Sequence, residues 1–255
     1  MTSLLEDKIV TVTGAASGIG QATAILAARE GAAGVVVTDR NQDGLEQTVA
    51  ELQAHDVAVA SLVASIDAPD TPEKLVALAI EHFGRLDAAI NNAGVRGRLA
   101  TVDEVDDELW EEVIGINLRS VMRSMRAQLR QMYKQADGGS IVNVASAAVF
   151  GVPARLSPYV VSKAGVVWLT KVAAVEAGPQ GVRVNVVCPG RTDTPLFNAY
   201  AGGDGPSRQG QIAEIPLGRT GRPQEPAEAL VWLASPRSSF VTGEVLIVDG
   251  GRTLS

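Results

Sequence analysis

Thr13–Gly20, TGAASGIG, follows the apolar run Lys8–Thr13 and leads into a segment where Ile19, Ala22, Ile25 and Leu26 recur three and four residues apart. That spacing predicts an amphipathic helix, so the glycine-rich octapeptide is the turn from a strand into a helix. Gly14 permits the sharp turn, Gly18 lets an anionic group approach the backbone, and Gly20 lets the helix pack close to the sheet. The free N–H groups of a helix start favour anionic oxygens, so this turn, with Ser17 and Ile19 at its exit, is predicted to hold a pyrophosphate.

Further short β-branched runs occur at Gly34–Thr38, Val57–Val63, Leu86–Asn91, Ser140–Ala145, Val182–Cys188 and Val245–Val248, which makes seven strands in all. Helical periodicity separates them, as in Gly165, Trp168, Leu169, Val172 and Val175. Strands without polar alternation, such as Val35–Val37, read as parallel strands covered on both faces. The expected fold is α/β, a single-domain doubly wound Rossmann fold with a seven-stranded, mostly parallel sheet and helices on both faces. A closed barrel needs an eighth unit, and the connection at 189–244 is too long for one. The expected domain spans 1–255, with the Gly/Pro-dense stretch 189–222, including GGDGP at 202–206, as a lid.

The chain has 255 residues and a net charge of −7, without a basic run, which disfavours a nucleic-acid partner. One cysteine, Cys188, with only His55 and His82 beside it, supplies neither an internal disulfide nor zinc-ligand spacing, so no metal is expected. The sequence MTSLLEDKIV does not read as a signal peptide, and there is no apolar stretch of about 18 residues. A cytoplasmic protein without a membrane partner is expected.

Asp39 ends the second strand about 20 residues beyond the glycines, where a dinucleotide site places a carboxylate on the adenosine ribose. A 2′-phosphate would meet its like charge, partly offset by Arg40, so NAD is favoured and NADP is the lesser alternative. Ser146 closes the fifth strand; Tyr159 follows thirteen residues later and Lys163 four after that. Ser157 and Pro158 read as the N-cap and first residue of a helix, which puts Tyr159 and Lys163 one turn apart on one face. The lysine and the helix N-terminus both favour phenolate. Bringing a tyrosine from near 10 to about 7 takes roughly 4 kcal/mol, to which a nicotinamide cation would contribute.

TGAASGIG, NNAG at 91–94, Asn117 in GINLRS, Ser146, YVVSK at 159–163 and PGRTDT at 189–194, in this order, resemble the short-chain dehydrogenase/reductase family nearly end to end. VTGEVLIVDGG, near the carboxyl terminus, resembles the last strand and subunit-contact region of that family's tetramers, which implies a homotetramer. The resemblance implies that Tyr159 is the general acid/base, that Ser146 orients the substrate oxygen, and that Lys163 holds the nicotinamide ribose and depresses the Tyr159 pKa. It implies that Asn117 binds a water linking Lys163 to solvent. Asn91, Ala93 and Gly94 are implied to line the adenosine side, and Pro189, Gly190, Thr192 and Thr194 to meet the carboxamide and phosphates. Asp67 is the implied adenine contact, with Ile66 or Ala68 as the flanking backbone position.

Ligands of doubly wound sheets bind beyond the carboxyl ends of the strands. There Val149, Phe150, Val152, Leu196, Phe197 and Tyr200 suit an alicyclic or aromatic alcohol, and Arg96, Arg98, Arg155 and Arg191 suit a carboxylate or phosphate. The expected activity is NAD-dependent interconversion of a secondary alcohol and a ketone. Two alternatives stand beside it: an NADPH-dependent ketone or 3-oxoacyl reductase, and a non-catalytic dinucleotide-binding regulator, which would be expected to lose Tyr159 or Lys163.

Overall fold

Strands made of valine, isoleucine and alanine must be covered on both faces, and the chain arranges itself accordingly in the computed structural model, which describes residues 3–199 and 207–254. The first half runs β1 (Ile9–Thr13), α1 (Gly18–Arg29), β2 (Gly34–Asp39), α2 (Gln42–Gln53), β3 (Ala58–Val63), α3 (Thr71–Phe83) and β4 (Ala88–Asn91). The second half continues with α4 (Asp107–Ile114), α5 (Ser120–Met132), β5 (Gly139–Val144), the short α6 (Ala148–Gly151) and the long α7 (Ser157–Ala177). It closes with β6 (Val182–Pro189), α8 (Pro195–Asn198), α9 (Arg208–Ala213), α10 (Gln224–Ala234) and β7 (Val245–Val248). The seven strands form one sheet in the order β3-β2-β1-β4-β5-β6-β7, and every pairing in it is parallel. This is the expected doubly wound Rossmann-type fold, with the sheet wholly rather than mostly parallel.

Alternate side chains serve opposite layers. Val10, Val12, Val35 and Val37 pack beneath α1 and α10, whereas Ile9, Val36, Ala89 and Ile141 pack beneath α3, α5 and α7. The inner strands β1 and β4 are buried throughout, while β3 and β7 at the two edges are partly exposed. Strand order reverses between β1 and β4, so the loops at their carboxyl ends part and leave a crevice there.

A buried amide network ties the middle of the sheet to its helices. Asn91 Nδ2 donates to Gln128 Oε1 and Asn143 Oδ1, Gln128 Nε2 donates back to Asn91 Oδ1, and Asn143 Nδ2 donates to Thr170 Oγ1. Of the lid stretch, α8 and α9 are described, whereas Tyr200 and GGDGP at 202–206 lie outside the described residues. Among the described residues no helix is long and apolar enough to cross a membrane.

Candidate active site

The crevice begins at the glycine turn. Gly14 adopts φ +68°, a conformation side chains disfavour, and a Cβ there would lie 2.8 Å from Ala93 Cα. At Gly20 a Cβ would fall 2.0 Å from the Gly14 carbonyl oxygen, so only glycine lets α1 start this close to the strand it follows. Ser17, the N-cap of α1, makes no side-chain cap bond, and the first turn carries no acid, so the helix presents its N–H groups without a protein anion. A cleft of about 280 Å³ opens here, lined by Gly14, Ser17, Gly18, Ile19, Asp39 and Arg40 on one side and Ala93, Gly94 and Thr194 on the other. Asp39 is fixed at the end of β2: the Ala16 N–H donates to its carboxylate at 3.0 Å and the Asn41 N–H at 2.9 Å. Uncapped helix N–H groups, side-chain-free backbone and a fixed carboxylate form a donor and acceptor set that fits a dinucleotide.

Ile19, Asn92, Gly94, Thr194 and Leu196 also line a second cleft of about 210 Å³, so the two are continuous. Ser146, Tyr159 and Lys163 meet in that second cleft, along with Pro189, Gly190 and Thr192. The Ser146 hydroxyl lies close enough to the Tyr159 phenol to favour its ionised form. Lys163 Nζ donates to the Val144 carbonyl at 2.8 Å, which holds the ammonium under the end of β5. Gly94 passes above it: a Cβ at that position would lie 3.2 Å from Lys163 Nζ and 3.1 Å from Asn117 Oδ1.

Burial governs the charges here. It brings the Lys163 ammonium from 10.5 down to about 8. Burial also holds the Tyr159 phenol above its ordinary value, against the opposing pull of the Ser146 hydroxyl and the Arg96 guanidinium. The chain alone therefore does not lower the Tyr159 pKa as expected from its position. The phenol is partly buried in the wall of the second cleft, and Lys163 is directed at a carbonyl.

The lysine shift sets a stability slope. Between pH 8 and 10.5 the unfolded chain binds more protons at Lys163 than the folded one, so this group makes stability rise with pH across that window, by about 3 kcal/mol in total. Denaturant unfolding of the wild type and Lys163→Met at the two ends of the window should show a rise in the wild type that is smaller in the variant by this amount. Parallel curves would refute the depressed ammonium.

Four expected positions lie elsewhere than the cleft wall. The Asn91 side chain is committed to the buried amide network and does not reach the cleft; its neighbour Asn92 does, donating to the carbonyls of Thr13 and Gly14 at 3.0 and 3.2 Å. Strand alternation explains this, because Asn91 is the last paired residue of β4 and Asn92 the first to leave the sheet. Asp67 is exposed and accepts from the Ser65 hydroxyl, and it is Ser65 and Ile66 that line this end of the first cleft. Gly20 packs behind the turn. Asn117 is fully buried in a π-helical turn, Gly115–Arg119, and uses its side chain structurally: Oδ1 accepts from Val95 N–H, and Nδ2 donates to Val95 O and Ser162 Oγ. Both amide hydrogens are spent, so the side chain positions the loop after β4.

Two smaller corrections concern the rim. The N-cap of α7 is Leu156, without a side-chain cap bond, and Ser157 is already helical. Val149, Phe150, Val152, Arg98 and Arg155 do not line the second cleft; Pro153, Leu156, Leu196, Phe197, Arg96, Arg191 and the unanticipated Gln211 and Arg252 do. Arg98 instead pairs with Asp106 at 2.7 Å. Arg252 follows a Gly-Gly pair beyond the last strand, a place where sequence alone signals only a turn.

Comparison with known proteins converges on this architecture. A family model described as Enoyl-(Acyl carrier protein) reductase matches residues 14–253. The chain is 40% identical to an A-factor type gamma-butyrolactone 1'-reductase (1S-forming) of Streptomyces virginiae, covering 98% of this chain and 97% of the relative. It is 37% identical to a cyclohexanol dehydrogenase of Acinetobacter sp., covering 99% and 98%. Among solved structures, an NAD+-bound xylitol dehydrogenase superposes with a TM-score of 0.90 at 30% identity, covering 97% of this chain and 99% of that one. Likeness sustained from the glycine turn to the last strand places the chain in the short-chain dehydrogenase/reductase family, whose members are NAD(P)-binding oxidoreductases of CH–OH groups.

Proposed function

We propose that the protein interconverts a secondary alcohol and a ketone with NAD, using Tyr159 as general acid/base. The observation that carries this reading is the meeting of Ser146, Tyr159 and Lys163 in a cleft continuous with the glycine-turn crevice. When bound, the nicotinamide supplies a hydride acceptor for alcohol oxidation and a hydride donor for ketone reduction. Gly14, Ser17, Gly18 and Ile19 hold the pyrophosphate, Asp39 the adenosine ribose, Lys163 the nicotinamide ribose, and the turn from Pro189 to Thr194 the carboxamide. Ser146 donates a hydrogen bond to the substrate oxygen and sets its distance from the Tyr159 Oη. Tyr159, as phenolate, takes the hydroxyl proton during oxidation and returns it during reduction. The positive charge of an oxidised nicotinamide, when bound, and Lys163 would favour that phenolate against burial.

The Asp39 carboxylate supports NAD over NADP, because a 2′-phosphate would be placed against a charge that two backbone donors already fix. Asp39→Ser is expected to raise kcat/KM with NADP relative to NAD by about tenfold or more, a change of at least roughly 1.4 kcal/mol. Steady-state rates with the two cofactors check this, and an unchanged ratio places discrimination elsewhere. The apolar lining from Leu156, Leu196 and Phe197 suits an alicyclic alcohol, as does the likeness to a cyclohexanol dehydrogenase.

The homotetramer and the cytoplasmic setting belong to the same reading. Helix α7 carries apolar residues on two sides: Val166, Val167 and Ala173 face the sheet, while Trp168, Val172 and Val175 are exposed, Trp168 at 66%. An apolar stripe left outside on a well-covered helix is a surface for another copy of the chain. The stretch 189–222 acts as the lid, with α8 and α9 as its described parts.

A further inference from the structure

The buried stripe of α2 runs Leu45, Thr48 and Leu52, three and four residues apart, so a hydroxyl stands where the helix is otherwise apolar. Thr48 is fully buried, and a hydroxyl so placed costs stability unless it is bonded. A helical threonine ordinarily bonds to the carbonyl one turn back, here Gly44 O at 3.1 Å. The nearer acceptor lies outside the helix: Thr48 Oγ1 donates to the Ala15 carbonyl, in the glycine turn, at 2.8 Å.

The Ala15 carbonyl and the Ala16 N–H belong to one peptide unit, and its other end is held as well, since the Ala16 N–H donates to the Asp39 carboxylate at 3.0 Å. One planar unit is thus gripped at its oxygen by α2 and at its nitrogen by the end of β2, and it cannot rotate without breaking both bonds. The residues before it are tied to the same strand, because the N–H groups of Gly14 and Ala15 both donate to the Thr38 carbonyl, at 2.9 and 3.2 Å. Ser17 and Gly18 follow directly, Gly18 at φ +58°, and with them the uncapped N–H groups of α1. Gly44 lets α2 come this close: a Cβ there would lie 2.7 Å from the Ala16 carbonyl oxygen and 3.0 Å from the Ala16 Cβ.

We propose that Thr48 is a positioning residue for dinucleotide binding: from behind the turn its hydroxyl fixes the Ala15–Ala16 peptide and so aims the N–H groups at the start of α1 toward the pyrophosphate. This rests on the dinucleotide reading above and adds what holds the turn in place. Thr48 is not among the residues that line either cleft, so it acts through the turn and not on the ligand. With the hydroxyl removed, Asp39 still holds the nitrogen end of the peptide, so the adenosine half keeps its seat while the pyrophosphate half loses its aim.

Titrations with ADP-ribose and with adenosine, followed by calorimetry and NMR, read the two halves separately and involve no hydride transfer. In Thr48→Val, which keeps the side chain's shape and removes its hydrogen, affinity for ADP-ribose is expected to fall by about tenfold while that for adenosine stays within about twofold. Thr48→Ser restores the donor and is expected to return the ADP-ribose-to-adenosine ratio to that of the wild type. A hydroxyl that served packing alone would lower the Tm of Thr48→Val and leave the ratio unmoved; that result overturns the proposal, as does a Thr48→Ser protein as weak as Thr48→Val. Gly44→Ala presses on the same peptide from a second point and carries the test where Thr48→Val does not fold: the same selective loss is expected, and an unchanged ratio overturns the proposal. In each of these overturning results ADP-ribose still binds the wild type and the dinucleotide reading stands, whereas a wild type that binds no ADP-ribose overturns both.

Discussion

Tyr159→Phe is expected to lower kcat/KM by about 10²–10⁴-fold while leaving dinucleotide affinity within about twofold of the wild type. The substitution removes one oxygen and keeps the ring, which packs against the small apolar cluster of Ala100, Leu109 and Val113. Fold and cleft shape should therefore survive. What is lost is the phenol that the geometry places beside Ser146, while Lys163 is tied to the Val144 carbonyl. The pH dependence sharpens the expectation. Alcohol oxidation needs phenolate, so the wild-type rate should climb with pH, whereas residual turnover in the variant should not follow that rise. Steady-state kinetics and a dinucleotide fluorescence titration on the two proteins measure both parts; a variant retaining a third of the activity would remove Tyr159 from its role.

Gly20→Ala is expected to have the second-largest effect, through structure rather than chemistry. The new methyl would sit 2.0 Å from the Gly14 carbonyl oxygen and 2.5 Å from Asn92 Nδ2, and backbone cannot yield as a flexible side-chain tip can. Either α1 lifts from β1 or the glycine turn opens, and each disturbs the uncapped N–H groups at the start of α1, which the proposed function assigns to the pyrophosphate. Overpacking of this kind costs about 1–3 kcal/mol or more, which for a chain of this size lowers Tm by several degrees. Dinucleotide affinity should drop by at least about tenfold with it. Gly178→Ala is the control, since nothing lies within 4 Å of its added Cβ and its φ is −52°, so it should be neutral or slightly stabilising. Thermal melts with and without NAD separate the two, and equal behaviour of both variants would contradict the account of the turn.

Most of the frame was legible because its signals are local. Valine runs without alternation announced buried parallel strands, and the glycine turn announced where the first helix begins. The three side chains Ser146, Tyr159 and Lys163 were legible for the same reason, since a strand end and one helical turn set their positions. What was not legible depends on a side chain's direction at the point where regular structure stops. Asn91 and Asn92 are adjacent and identical, and only the register of β4 with β5 decides that the first is buried and the second faces the cleft. Asp67 is an acid in the expected segment, yet its neighbour Ser65 captures it. Arg252 and Glu214 meet because β7 and the lid return to the same place, a long-range closure that no short spacing encodes.

Burial likewise escapes a reading of residue types. The pairing of lysine with tyrosine suggested a depressed phenol, but the pocket that makes Tyr159 useful also dries it, and desolvation dominates in the chain by itself. The stripe of Trp168, Val172 and Val175 announced a helix correctly while giving no hint that it faces outward. Periodicity identifies an apolar face without saying what covers it.

The most direct test of the redox assignment is isotope transfer. Cyclohexanol deuterated at its carbinol carbon is incubated with NAD and the protein, and the reduced cofactor is analysed by mass spectrometry and NMR. The account predicts one deuterium at nicotinamide C4 with a single facial preference, formed by the wild type and lost in Tyr159→Phe; unlabelled reduced cofactor, or label arriving at the same rate in the variant, would contradict it.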